Sequence, residues 1–283
     1  MENFKLPFIL FYTSALIFYL NDALIKKASN QLNAWQFILV RSVCTFVLSI
    51  IIIIPLVVAN SFPDVFLLRQ LMIASFFCGL GLFFFIKSVN SMSFANVGAL
   101  SVLGNITQQL LAFFLLKETI KPVIWLSFLI ICVGYVFQFK THNREGLLWV
   151  LLCNIFWPLG YVLLSIPLKK MNALWSIPIM ECTILSMSLV ILFLSKTKIK
   201  KSDISGIRWN YLFSIALLTI IGSFLLNYTF KTEKISNITF LQMSMMIFTY
   251  FTSIKIFKEN PSKYELISFG LLLGGFWMFL FEK

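Results

Sequence analysis

The chain has 283 residues, of which 59% are hydrophobic and only 12% charged, with 32 phenylalanines and a formal net charge of +12. A soluble domain covers itself with about 25% charged residues, so these proportions exclude a soluble protein and identify an integral membrane protein. The positive charge would suggest nucleic acid in a soluble chain; here it sits in short connections between apolar runs and reads as anchoring to anionic lipid headgroups, so the bilayer is the expected partner and nucleic acid is not.

A bilayer core about 30 Å thick takes roughly 20 apolar residues per helix. Cutting the chain at charged and Pro/Asn/Ser-rich breaks predicts ten spans. They cover residues 6–25, 36–58, 67–86, 94–116 and 122–139, then 147–166, 174–195, 209–229, 237–257 and 263–281. The first run lacks a small-residue cleavage site and ends in Asn21-Asp22, so it is expected to be retained rather than removed as a signal peptide. The connection 196–208, with Lys196, Lys198, Lys200, Lys201 and Arg208, is expected to be a solvated basic loop. The lone histidine, His142, falls in the connector 140–146 and reads as a solvent-exposed loop residue. Five cysteines lie inside apolar runs without paired spacing, which fits small buried residues better than disulfides or metal ligands.

The sequence repeats itself at a constant shift of 141 residues. Gly81 and Gly222, Phe83 and Phe224, Asn96 and Asn237, Lys117 and Lys258, Glu118 and Glu259, and Gly134 and Gly275 all share it. A single insertion would break such a register, so the chain reads as two copies of one unit: 1–139, a connector at 140–146, and 147–283. Five spans per copy is an odd number, so the second copy must enter the membrane from the opposite side. The predicted fold class is therefore an all-α membrane protein, ten transmembrane helices in two inverted five-helix repeats around a central cavity. Inverted repeats are typical of secondary carriers, with the substrate near the midplane between the halves. Two fused copies supply their own interface, so no oligomer is required.

Helical spacing decides which polar residues share a face. In the fourth span Ser101, Asn105, Gln108 and Gln109 form one stripe; the repeat-equivalent positions in the ninth are Gln242, Met246, Thr249 and Tyr250. Polar side chains in hydrocarbon need partners or water. Two related stripes facing one cavity account for them, against the plainer reading that the amides only join helices, at about 0.6 kcal/mol per contact. Asn105, Gln109, Gln242 and Tyr250 are thus cavity candidates. On the first span Tyr12, Tyr19 and Asp22 share one arc, and on the sixth Asn154, Trp157 and Tyr161 share one face; Tyr19, Asp22, Trp157 and Tyr161 join the candidates, and Tyr19 and Tyr161 are equivalents at a shift of 142. Such rings suit a planar or cationic solute through stacking or cation–π contact, although in a chain with 17% aromatics most rings must face lipid or core.

The remaining candidates are charged. Asp22 near the end of the first span and Arg41 near the start of the second lie on one side of the membrane, and a mutual ion pair is the default expectation; Arg41 holding an anionic group of a solute is the alternative. Glu181 occupies the Arg41 position of the second copy. Inversion would send it toward the other face, so no direct Arg41–Glu181 bridge is expected, and Lys169 and Lys170 are its nearest basic neighbours. Glu181 therefore reads as a proton-coupling group, as a counter-charge for a cationic solute, or as a helix-end residue paired with lysine. Glu118 and Glu259 sit at helix ends and read as structural turns of the repeat, tied to backbone N–H groups or lysines. Neither metal-ligand spacing, nor a phosphate loop, nor a nucleophile–histidine pair occurs in the sequence, so no enzyme, no metal and no cofactor is expected.

Two five-span repeats, each with Leu115-Leu116-Lys117-Glu118 or Ile256-Phe257-Lys258-Glu259 before a glycine-bearing fifth span (Gly134; Gly274-Gly275), resemble the EamA-type carriers of the drug/metabolite transporter superfamily. The opening Asn21-Asp22-Ala23-Leu24-Ile25-Lys26 followed by Arg41 is similar to a branch that includes S-adenosylmethionine and riboflavin carriers. One departure is that Val102-Leu103-Gly104-Asn105 stands where the family places a proline in the fourth span. The resemblance implies a cavity bounded by spans 1–4 and 6–9, peripheral spans 5 and 10, alternating access, and cytosolic termini in a cell (inner) membrane. The last of these runs against a lysine and arginine distribution that favours outside termini through the 196–208 loop alone.

The function expected is secondary active transport of a small organic metabolite, with uptake or exchange of a cationic, zwitterionic or aromatic compound favoured. A proton is a candidate coupling ion. Proton-coupled drug or amino-acid export is the alternative within carriers. A receptor, channel subunit or scaffold on the same repeat is the alternative outside them.

Overall fold

The computed structural model describes residues 5–58, 61–119, 126, 129, 130, 133, 144–197, 206–260 and 262–280. Nearly all of the predicted fifth span, His142 and the middle of the basic 196–208 loop lie outside the described residues. Among the described residues the regular structure is helical throughout. The first half contributes α1 (Lys5–Ala28), a 3-10 turn (Ser29–Gln31), α2 (Ala34–Val57), α3 (Val65–Ser91), α4 (Phe94–Leu100) and α5 (Val102–Leu116). The second contributes α6 (Arg144–Leu168), α7 (Ala173–Leu194), α8 (Trp209–Thr232), α9 (Ile235–Ile256) and α10 (Lys263–Leu280). Seven stretches among the described residues are long and apolar enough to cross a membrane, with Phe94–Leu116 counted as one. The protein is multi-pass.

The polar breaks that delimit the spans act as caps. Asn33 and Gln36 form a reciprocal capping box at the start of α2, Asp64 accepts from the Leu67 N–H at the start of α3, and Asn172 caps α7. Each satisfies backbone donors that a helix start leaves open. The radial polarity is reversed relative to a soluble protein. Phe193 is 83% exposed and Leu194 71%, while Ser14, Asn21, Gln108, Asn154 and Asn227 are buried between helices. Lipid covers the apolar outside, and polar groups pair inside.

Contacts between helices come in exchanged pairs. α1 packs along α8, and α6 along α3; α2 contacts α8, and α7 contacts α3; α2 and α7 pack on each other. Small residues allow the closest approaches, as hydrocarbon surroundings favour. A Cβ on Gly81 would lie 2.9 Å from the Trp157 Cα, and one on Gly160 would lie 2.8 Å from the Cys78 backbone nitrogen, so α3 and α6 meet nearly backbone to backbone. Apolar side chains gather in two clusters along this pair. One takes Leu67, Leu71 and Ala74 of α3 with Leu164 and Leu168 of α6; the other takes Leu82, Ile86 and Val89 of α3 with Leu147 and Val150 of α6.

Residues 94–116, expected as one helix, form two segments that meet at Ser101. No proline is needed for this break. The Leu100 carbonyl accepts from the Asn154 side-chain amide at 2.8 Å, and the Gly98 carbonyl from the Ser101 hydroxyl at 2.6 Å. Side chains thus satisfy backbone groups at the break, which a lipid environment demands.

Candidate functional site

A cavity of about 220 Å³ lies between the halves, lined from α1, α3, α5, α6, α8 and α9 together with Ser101. A smaller space of about 90 Å³ adjoins it, sharing Tyr19, Asp22, Phe85, Ser101, Cys153 and Asn154 with it. Together they fall near the lower end of small-molecule sites.

Six of the sequence candidates line the cavity: Tyr19 and Asp22 from α1, Asn105 from α5, Trp157 and Tyr161 from α6, and Gln242 from α9. The Tyr19 hydroxyl donates to the Phe248 carbonyl at 2.6 Å and ties α1 to α9 across the two halves. Trp157 meets the rings of Phe85 (5.7 Å, 85°) and Tyr161 (6.1 Å, 74°) edge to face, so three rings form one wall. The Gln242 Oε1 is buried with no hydrogen-bond partner among the described residues. No hydrogen bond or ion pair from a described residue reaches the Asp22 carboxylate.

Four candidates lie elsewhere. Gln109 is buried outside the cavity lining, and Tyr250 stacks on Phe269 at 4.1 Å and 16°. Arg41 and Glu181 form a buried ion pair, with Nη1 donating to Oε2 at 2.8 Å. A second arginine nitrogen donates to the Thr219 hydroxyl at 3.0 Å. This corrects three expectations. Arg41 pairs with Glu181 and not with Asp22; the direct Arg41–Glu181 bridge, not expected from inversion, is present; and Lys169 and Lys170 are not the partners of Glu181. The physical reason is the contact of α2 with α7. Both side chains are buried where these helices pack, and they meet there directly. A charge inside the membrane is costly enough to favour the closest opposite charge.

The structural turns show an exchange. Ile235 and Ser236 N–H donate to the Glu118 carboxylate at 3.2 and 2.9 Å. Phe94 N–H donates to Glu259 at 3.1 and 2.9 Å, Ala95 N–H at 3.4 Å, and Ser253 Oγ also bonds this carboxylate. Lys26 adds an ion pair to Glu259 at 2.5 Å. Lys117 and Lys258 both adopt left-handed backbone angles, with φ of 56° and 54°, and the next N–H turns back to Ala112 or Ser253 at 3.3 or 3.2 Å. This helix-ending geometry, usually glycine's, aims each glutamate at the first turn of a helix in the other half. There the backbone donors and the helix dipole favour an anion. Burial works to raise the pKa of Glu259, but bonds from Lys26, Ser253 and the Phe94 N–H outweigh it, so the carboxyl titrates below its ordinary range.

The cavity also uses residues outside the candidate set. Ser101, Gln108 and Thr249 line it, and they belong to the two polar stripes. The repeat register carries the signal: Ser101 and Gln242 are equivalents and both face the cavity, as are Gln108 and Thr249, while the equivalents Gln109 and Tyr250 both miss it. Asn154 shared a helical face with Trp157 in the sequence. Phe18 and Phe85 carried no signal that distinguishes them from other rings.

Comparison with known proteins follows the same lines. Among curated proteins none matches. A solved crystal structure is 16% identical over 96% of each chain and superposes with a TM-score of 0.66, a likeness of fold. The model of the EamA-like transporter family matches residues 5–139 and, a second time, residues 144–281. With both halves matched by the same family, the chain belongs to the EamA-like transporter family.

Proposed function

We propose that the protein is a secondary carrier that moves a small organic solute across a membrane by alternating access between two inverted five-helix halves. The observation that carries this reading is the cavity between the halves, lined by equivalent polar residues of both. Family membership and the exchanged glutamate contacts support it as well. Because the end of α5 meets the start of α9, and the end of α9 the start of α4, these helices run antiparallel, as inversion requires. Ten spans, a cell membrane location and cytosolic termini belong to the same reading.

Transport assays on reconstituted protein test it. A thermal-shift screen of choline-like, S-adenosylmethionine and flavin compounds selects a solute, and its labelled form is then offered to proteoliposomes preloaded with the unlabelled compound. A carrier accumulates label transiently by counterflow, saturably. Binding without trans-stimulated uptake would indicate a receptor or scaffold and overturn the proposal; uptake that does not saturate would indicate a channel.

A further inference from the structure

Among the described residues that line the cavity and its annex, Asp22 is the one acidic side chain, and no lysine, arginine or histidine joins it. The three basic side chains that sequence proximity offers are all engaged elsewhere, Lys27 over the Phe257 ring at 5.8 Å. Lys26, one turn further along α1, is held by Glu259, and Arg41 by Glu181. An intramembrane carboxylate without a partner is unusual, since such groups pair or mark a ligand path. The wall around it is aromatic, and ring faces attract cations most strongly where water is excluded. Trp157 and Tyr161 face the cavity from α6, Tyr19 from α1 and Phe85 from α3. A second, separate observation is the buried Gln242 oxygen, an acceptor with no donor among the described residues, on the same cavity. An anionic solute would meet one like charge and no opposite one. A zwitterion would leave its carboxylate without a cationic partner.

We propose, building on the carrier reading, that the cargo is a small organic ammonium ion whose charge is held by the Asp22 carboxylate between aromatic rings. The ammonium supplies the counter-charge that the protein itself withholds from Asp22, and the rings supply contact that is indifferent to the rest of the molecule.

Binding to purified full-length protein in detergent tests this, read by calorimetry with matched probes. Choline is compared with its neutral carbon isostere 3,3-dimethylbutan-1-ol and with the anion 3,3-dimethylbutanoate. Ethanolamine and benzyltrimethylammonium extend the series toward a primary and an aromatic ammonium. The expected result is that at least one ammonium binds about tenfold or more tighter than the neutral isostere, the difference a single charge-assisted contact supplies. Asp22→Asn brings that ratio close to one and Asp22→Glu restores most of it. Equal binding of cation and isostere, preference for the anion, an unchanged ratio in Asp22→Asn, or no ammonium bound at millimolar concentration would overturn the proposal. If Asp22→Asn does not fold, the wild-type ratios decide alone. The outcome is separable from the carrier reading. Cation binding without counterflow removes the carrier and keeps the site, whereas counterflow of a neutral or anionic solute, undiminished in Asp22→Asn, does the reverse.

Discussion

Glu118 accepts hydrogen bonds from the N–H groups of Ile235 and Ser236, and Glu259 accepts them from Phe94 and Ala95. Both the carboxylates and the helix starts they hold are 141 residues apart, so each half closes the first turn of the other half's helix. The two contacts sit at opposite ends of the antiparallel α4/α5 and α9 pair. They are not equal: Glu259 has Lys26 and Ser253 in addition, whereas Ala112 stands at the position equivalent to Ser253.

Removing these contacts should therefore cost unequal amounts. Glu118→Ala is expected to lower stability by about 1–2 kcal/mol and Glu259→Ala by about 2–3, given roughly 1.5–3 kcal/mol for a hydrogen bond to a charged group and discounting for partial exposure. Thermal unfolding in detergent measures both. Neither change should alter which solutes bind; altered selectivity in Glu118→Gln would place that residue at the cargo site instead.

The acidity of Glu259 adds a pH dependence. Its carboxyl is depressed in the folded protein, so its stabilising contribution is complete above the unfolded carboxylate value, about 4.3, and disappears as pH falls through the lower folded value. Wild type should lose stability faster than Glu259→Gln as the pH is lowered through that window. Parallel curves would contradict this.

For Arg41 and Glu181 the prediction concerns their joint removal. Deleting one partner leaves a buried charge uncompensated, at about 3–5 kcal/mol, whereas replacing both by apolar residues is often close to neutral. Arg41→Met and Glu181→Met should each destabilise strongly, and the double variant less than either. Additive losses in the double-mutant cycle would show that the 2.8 Å contact is not a coupled pair in the membrane.

At the break in the fourth span, Asn154→Leu keeps the side-chain size but withdraws the donor from the Leu100 carbonyl. The expected loss is about 1–3 kcal/mol, the cost of a buried unsatisfied acceptor. Hydrogen exchange should quicken around residues 100–105, and an unchanged rate there would mean that the break does not depend on Asn154.

Glycine packing offers an internal control. Gly160→Ala places a methyl 2.8 Å from the Cys78 nitrogen and 3.1 Å from the Ala74 carbonyl oxygen, neither of which moves cheaply, while a methyl at Gly270 meets nothing within 4 Å among the described residues. The first change should cost about 1–3 kcal/mol by overpacking, and the second nothing or a slight gain from helix propensity. Unfolding midpoints in detergent distinguish them.

Most of the helical layout was legible in the chain, because a span is a local property. Hydropathy over about 20 residues is set by the bilayer's thickness, and α7, expected at 174–195, is found at Ala173–Leu194. The constant register was legible too, but it did not say which stripe residues face the cavity: Gln109 and Tyr250 were expected there and lie outside its lining, while Ser101, Gln108 and Thr249 line it. The Ser101 break was not legible, because it depends on a donor from α6, 53 residues away in sequence. The charges divided along the same line. Sequence alone identified Asp22, Arg41 and Glu181 as costly intramembrane groups needing partners, since that cost follows from the residue type and the span. Which partner each one takes depends on which helix faces are in contact. The packing of α2 on α7 gave Arg41 to Glu181 and left the Asp22 carboxylate facing the cavity. Only the tertiary structure decided that, because pairing in a low-dielectric interior follows distance across helices and not proximity along the chain.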